Sequence, residues 1–222
     1  MGELSSTVRV VVIDDDPLVR SALDLMLGGQ PDIEVVGEAC DGAEGLQLVE
    51  RTRPDVVLMD VRMPVMSGLA ATRALRASED PPAILVLTTF DADEYVVEAV
   101  AAGANGFLLK STPPAQILAA VRHVAAGDAV LSPAATRSLL DRLRTDATLE
   151  RATRATEKLE QLTARELEVA VLVGRGLSNA QVAAELHLSV PTVKAHVSKL
   201  LEKLEADNRV QIAMRVYDAG LT

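Results

Sequence analysis

The sequence predicts an α/β fold, a five-stranded doubly wound parallel sheet, followed by a small all-α domain. Three observations predict it. Five short apolar runs are continuous rather than alternating, as strands buried on both faces of a parallel sheet are. Segments of helical period lie between them, the pattern of repeated β–α units. Charge is unevenly divided: residues 1–126 hold 9 Lys/Arg and 19 Asp/Glu, a balance of −10, whereas residues 127–222 hold 13 of each. That asymmetry argues for two units with different partners.

The runs are VRVVVI (8–13), IEVV (33–36), DVVLM (55–59), AILVLT (83–88) and GFLL (106–109). A helix is expected over 17–27, with Leu18, Ala22, Leu25 and Met26 on one face, and another over 113–126, with Ile117, Leu118, Val121 and Val124 together. GGQPD, RTRPD and SEDPP punctuate the units as turns. The flavodoxin-like strand order is the candidate topology, and it places ligands outside the carboxyl ends of the strands.

Composition narrows the function classes. With 49% hydrophobic and 24% charged residues the chain is globular. No apolar run approaches the roughly 20 residues that span a bilayer, and MGELSST lacks the basic start and apolar core of a secretory signal. A soluble, cytoplasmic protein without membrane partners is expected. The single Cys40 excludes an intrachain disulfide framework and a Cys-rich zinc site.

Four of the five strands end in chemistry: Asp14, Asp15 and Asp16 after the first, Asp60 after the third, Thr88 and Thr89 after the fourth, Lys110 after the fifth. Adjacent carboxylates repel by ~4 kcal/mol at an effective dielectric of about 20, so a cluster of acids calls for a cation. Acids, a hydroxyl and a lysine on one sheet edge suit Mg²⁺ and a phosphoryl group. Asp16 differs, because an aspartate before Pro17 is the ordinary N-cap of a helix.

Residues 127–158 read as a partly helical linker. GDAVLSPAATRSLLDRL suggests one more short amphipathic helix, and TDATLERATRATEK (145–158) has Leu149 as its one large apolar residue, the mark of a solvated tether. Residues 159–222 carry three helix starts: a capping box from Thr163 and Glu166, then Ser178 with Gln181, then Ser189. On the helix behind Ser189, Val193, Val197, Leu200, Leu201 and Leu204 form one stripe, while Ala195, Ser198, Lys199 and Glu202 look outward with Lys194 on the flank. Two short helices and a tight turn, the second with a small-and-basic outer face, describe a helix-turn-helix.

Together, VVVIDDDPLVRSAL, PDVVLMDVRMPVMSGL, ILVLTTFDADEYV and AGANGFLLKSTPP resemble the receiver domain of bacterial response regulators over about residues 8–126. The resemblance implies that Asp60 accepts a phosphoryl group from a phosphohistidine of a sensor histidine kinase. It implies Asp15 as a direct Mg²⁺ ligand, Asp14 as its neighbour acting partly through water, Asp60 itself, and the backbone carbonyl of Arg62. Thr88 would contact a phosphoryl oxygen, Lys110 would pair with it, and Thr88 and Phe107 would form the switch.

LTARELEVAVLVGRGLSNAQVAAELHLSVPTVKAHVSKLLEKL is similar to the LuxR-type DNA-binding domain. That similarity puts Thr192, Lys194, Ala195, Ser198 and Lys199 in or beside the major groove of double-stranded DNA. Ser198 departs from the pattern, since relatives often carry a basic residue there. Residues 159–222 hold 7 Lys/Arg against 8 Asp/Glu, so one copy should bind weakly and with strong salt dependence. A homodimer on paired promoter half-sites, formed on phosphorylation, would compensate. The last helix, NRVQIAMRVYDAGL, could supply that interface through Val210, Met214 and Tyr217, or those residues could complete a small core.

The implied whole is a transcription factor switched by phosphorylation of Asp60, not an enzyme. An enzyme reading also exists. In VVIDDD, Asp14 and Asp16 stand as the nucleophile and general acid do in haloacid-dehalogenase-like phosphatases. Against it, no acidic metal motif follows Lys110, no cap domain is visible, Asp60 has no role and the helix-turn-helix is unexplained.

Overall fold

The computed structural model describes residues 7–89, 92–131, 136 and 155–221, with the side chains of 92–94 left aside. Strands β1 (Val8–Ile13), β2 (Ile33–Ala39), β3 (Val56–Asp60), β4 (Ala83–Thr88) and β5 (Gly106–Leu109) alternate with helices α1 (Pro17–Gly28), α2 (Gly42–Thr52), α3 (Gly68–Arg76), α4 (Ala92–Ala101) and α5 (Pro114–Ala125). The sheet order is β2-β1-β3-β4-β5-β6, with every pairing parallel. The sixth strand, β6 (Val130–Leu131), was not expected: it lies past residue 126, inside the segment read as linker, and extends the sheet by pairing Val130 with Gly106 and Leu131 with Phe107. Two residues carry too little pattern to read as a strand, yet they cover the open edge of β5.

Period-2 alternation sorts the strand side chains onto two faces. Val11, Ile13, Val57, Met59, Ile84, Val86 and Phe107 pack with Leu48 of α2, Leu75 of α3 and Val96 of α4. Val10, Val12, Val56, Leu58, Leu85, Leu87 and Leu108 pack with Leu23 and Leu27 of α1 and with Ile117 and Val121 of α5. Both faces are covered, which is why the strands read as continuous apolar runs.

The apolar face expected for α1 is corrected. Leu23 and Leu27 turn inward with Val19 and Met26 beside them, whereas Leu18 and Leu25 are 79% and 81% exposed. Both sets have helical spacing, and only the position of the sheet decides between them. Asp16 caps α1 as expected, its side chain accepting from the Leu18 amide at 2.8 Å.

The second unit is all-helical: α6 (Ala164–Gly174), α7 (Asn179–Leu186), α8 (Val190–Lys203) and α9 (Arg209–Asp218). Both capping boxes form, Thr163 with Glu166 and Ser178 with Gln181, and Ser189 caps α8. The core joins Val169 and Val173 of α6, Val182 of α7, Val193, Val197 and Leu200 of α8, and Ile212 and Val216 of α9. Tight turns need left-handed residues, and His187 (φ 53°) after α7 and Glu205 (φ 49°) after α8 supply them. The helix expected past residue 131 and the tether over 145–158 fall mostly outside the described residues.

Candidate functional site

The carboxyl ends of β1, β3 and β5 bring together the acids and the lysine. Lys110 Nζ lies 2.6 Å from Asp14 Oδ2 and 3.0 Å from Asp60 Oδ1. Asp14 and Asp60 are buried and Asp15 is exposed at the rim. One carboxylate oxygen from each of the three lies within 4.8 Å of the others. Three hard oxygen donors with one face open to solvent fit Mg²⁺, which keeps several waters and takes one or two carboxylates.

Backbone groups hold these side chains. Asp14 Oδ1 accepts the Asp16 amide at 3.0 Å, and Asp60 Oδ2 accepts the Arg62 amide at 3.1 Å. Burial pushes the Asp60 carboxyl above the ordinary aspartate value, against the opposing pull of Lys110. Burial alone would lower the Lys110 ammonium, but its hydrogen bonds to Asp14 and Asp60 outweigh that and the net shift is upward.

Thr88 is buried at the end of β4, its carbonyl accepting the Lys110 amide at 2.7 Å. Phe107 is fully buried on the α4 side of the sheet, among Val86, Val96 and Ala99, with Tyr95 packed on the same cluster. Asp14, Asp15, Asp60 and Lys110 therefore converge as the sequence implied, with Thr88 and Phe107 on the adjoining strands.

Three features went unread. Gly68 opens α3 directly beneath the Asp60 carbonyl, so close that any Cβ there would collide with it. Val65 sits in the left-handed region (φ 61°) with its side chain 87% exposed, an outlier for a β-branched residue. The Arg62 guanidinium lies over the Tyr95 ring, 5.1 Å from its centroid, and donates to the Tyr95 hydroxyl through Nε at 3.1 Å and Nη2 at 2.7 Å. Arg62 and Tyr95 line an open cleft of about 610 Å³ beside Asp15. Nothing local marks an Arg–Tyr contact 33 residues apart, whereas the glycine in VMSGL was a visible signal without an assigned partner.

On α8, Thr192, Lys194, Ala195, Ser198 and Lys199 are all exposed, opposite the buried stripe. Two of them also serve the helix: the Thr192 hydroxyl is 2.7 Å from Ser189 Oγ, and Ser198 Oγ donates to the Lys194 carbonyl at 3.1 Å. Two of the three last-helix residues with two readings open make a contact that the sequence did not suggest. Val210 and Met214 pack outside their own domain's core, against Val97 and Val100 of α4 and Leu131 of β6.

Residues 10–122 match the response regulator receiver domain family, and residues 160–216 match the bacterial regulatory proteins of the luxR family. The chain is 40% identical to the transcriptional regulatory protein YxjL of Bacillus subtilis (strain 168), over 96% of this chain and 97% of that one. It is also 40% identical to the transcriptional regulatory protein LiaR of the same organism, over 95% and 97%. The crystal structure of ChrA, a response regulator in a heme-sensing two-component system, covers 98% of this chain at 35% identity and a TM-score of 0.53, with all of ChrA matched. With the acid cluster at the strand ends and an exposed helix-turn-helix behind it, the chain belongs to the LuxR-type response regulators, a receiver domain joined to a DNA-binding domain that controls transcription.

Proposed function

We propose that Asp60 is the phosphoacceptor of a Mg²⁺-dependent phosphotransfer from a sensor histidine kinase, and that this modification switches dimerisation and DNA binding. The observation that carries the reading is the shared lysine: Lys110 contacts Asp14 and Asp60 at once, with Asp15 beside them. A carboxylate oxygen of Asp60 forms a bond to phosphorus as the P–N bond of the phosphohistidine breaks, and the imidazole leaves with the electron pair and is protonated. Mg²⁺, when bound, neutralises charge on the transferring group. Asp14, Asp15, Asp60 and the Arg62 carbonyl would hold it. Lys110 and the Thr88 hydroxyl face the developing negative charge and supply preorganised stabilisation. Thr88 and Phe107 are the proposed switch, and 8–126, 127–158 and 159–222 the proposed receiver, linker and DNA-binding segments, with β6 annexed to the receiver.

In the second domain, Thr192, Lys194, Ala195, Ser198 and Lys199 are the proposed groove contacts, and paired promoter half-sites the proposed target. No described helix is long and apolar enough to cross a membrane, and a cytoplasmic setting agrees with a DNA-binding role. The phosphatase reading finds no support. The Asp16 carboxylate that it needs as an acid is occupied capping α1, and Asp14 is buried under Lys110.

The test is intact mass after incubation with Mg²⁺ and acetyl phosphate, for the wild type and Asp60→Asn. One added phosphoryl group on the wild type alone is the expected result. Equal uptake by Asp60→Asn overturns the assignment.

A further inference from the structure

Arg20 stands where a helix does not favour a cation. It is the fourth residue of α1, in the first turn, at the positive end of the helix dipole. Its amide donates to the Asp16 carbonyl at 3.1 Å, so it belongs to the turn that Asp16 caps. Side chains on a helix lean towards its amino terminus, and this one runs back past the cap to the end of β1. There Arg20 Nη1 donates to the Asp14 carbonyl at 2.7 Å, while Nε donates to Glu38 Oε2 of β2 at 3.2 Å. The Arg20 side chain is 18% exposed, too covered for a freely solvated charge, and Glu38 offsets it.

That bond completes the hold on the first acid. The Asp14 amide donates to the Ala39 carbonyl at 3.1 Å, its Oδ1 accepts the Asp16 amide and its Oδ2 meets Lys110. With Arg20 on the carbonyl, every polar group of Asp14 has a partner. The carbonyl lies in the rigid peptide plane that leads into Asp15, so fixing it fixes where the Asp15 side chain starts. Asp15 has no other support. Its exposed carboxylate has no hydrogen-bond or ion-pair partner among the described residues. Its oxygen nevertheless lies within 4.8 Å of those of Asp14 and Asp60.

We propose that Arg20 is a positioning residue for the Mg²⁺ site: without touching the ion, it fixes the Asp14–Asp15 peptide and so keeps the Asp15 carboxylate in place beside Asp14 and Asp60. The proposal rests on the reading above of these three acids as a Mg²⁺ site. Charge and positioning pull in opposite directions here. A guanidinium near a cation site repels the ion, so if charge alone counted, removing Arg20 would tighten Mg²⁺ binding. If its bond to the carbonyl counts, removing it loosens binding, as the loss of an outer partner of a metal ligand does.

The experiment needs no phosphodonor, so its failure is separate from a failure of the Asp60 assignment. Mg²⁺ is titrated into the full-length chain at fixed ionic strength and followed by amide NMR. The Asp16 and Arg62 amides, which donate to Asp14 and Asp60, report on the two sides of the site. Arg20→Ala and Arg20→Met, the second keeping most of the stem's packing, should bind Mg²⁺ about tenfold or more weakly than the wild type. Arg20→Lys keeps a donor for the single bond to the carbonyl and should recover most of that affinity. Arg122→Ala removes an ion pair with Asp32, which lies at the amino-terminal edge of the sheet, and should bind as the wild type does. Urea denaturation without Mg²⁺ supplies the contrast, because a merely structural role would lower stability and leave the affinity of the folded chain unchanged.

Unchanged or tighter Mg²⁺ binding in Arg20→Ala and Arg20→Met overturns the proposal. So does a loss that Arg20→Lys fails to recover, or one that Arg122→Ala shares. A wild type whose two amides ignore Mg²⁺ would remove the metal site itself, and the proposal with it.

Discussion

Lys110 and Asp60 stand 3.0 Å apart across β4, and the same ammonium lies 2.6 Å from Asp14. One cation thus offsets two buried acids. Lys110→Met should leave Asp60 facing Asp14 without compensation and raise its carboxyl further. Acetyl phosphate labelling should slow by about a hundredfold, the scale of losing one charge-stabilising donor. In the proposed role Asp60 accepts a phosphoryl group only as a carboxylate, so the remaining labelling should fade at a higher pH on acidification than in the wild type. Mass-resolved labelling from pH 8 down to pH 5 measures both effects.

Gly68 leaves no room for a side chain over the Asp60 carbonyl. Gly68→Ala must push either α3 or the end of β3 aside. A shift of about 1 Å in a reacting group costs on the order of a hundredfold. Labelling should fall steeply while the circular dichroism of the sheet is retained, whereas Gly28→Ala, with open space around it, should label normally.

Val65 occupies a left-handed conformation that disfavours β-branched side chains, and its side chain gains little from burial. Val65→Gly should therefore stabilise the receiver by about 1 kcal/mol, the lower end of the strain such residues store. Urea denaturation at constant m-value would register it. A loss of stability would mean that the loop between β3 and α3 depends on the valine.

Glu166 closes a capping box and receives Lys203 Nζ at 2.7 Å. The Lys203 hydrogen bond, aided by the Thr163 amide, lowers its carboxyl from the ordinary 4.5 to about 2. The unfolded chain therefore takes up the proton first. The stabilisation is complete above the ordinary carboxylate range and is lost as pH falls through that range to about 2. Glu166→Gln keeps a capping side chain but loses the ion pair. It should cost about 1 kcal/mol at pH 7, and the gap to the wild type should narrow in urea melts at pH 4 and then pH 3.

Lys194 and Lys199 flank the outer face of α8. Replacing either with alanine should reduce the salt slope of DNA binding by about 1 and weaken binding across unrelated sequences alike. Fluorescence anisotropy across a salt series reads the slope. An unchanged slope for both variants would remove α8 from the phosphate backbone.

The sheet was legible because burial on both faces forces unbroken apolar runs, and the site because strand ends in a parallel sheet share an edge. VVVIDDD and VVLMD each named both a strand and its chemistry. Helix caps were legible for a local reason: Asp16, Thr163 and Ser178 bond to amides two or three residues on. The inward face of α1 was not, since Leu18–Leu25 and Val19–Leu23–Leu27 are equally good stripes until a sheet selects one. Contacts between distant segments stayed hidden for the same reason. Arg62 with Tyr95, and Asp128 with Arg209, are polar residues whose partners lie 33 and 81 residues away.

The chain has two tyrosines and no tryptophan, and the fold puts each tyrosine at a working place. Tyr95 lies under the Arg62 guanidinium at the mouth of the acid cleft, and Tyr217 lies half-exposed on α9 beside the joint between the domains. The protein thus carries two intrinsic fluorophores free of tryptophan background. Tyr217→Phe leaves an emission that reports only on the acid cleft, and Tyr95→Phe leaves one that reports only on the joint. The order in which the two ends of the molecule respond can be timed in a stopped-flow cell without attaching a dye.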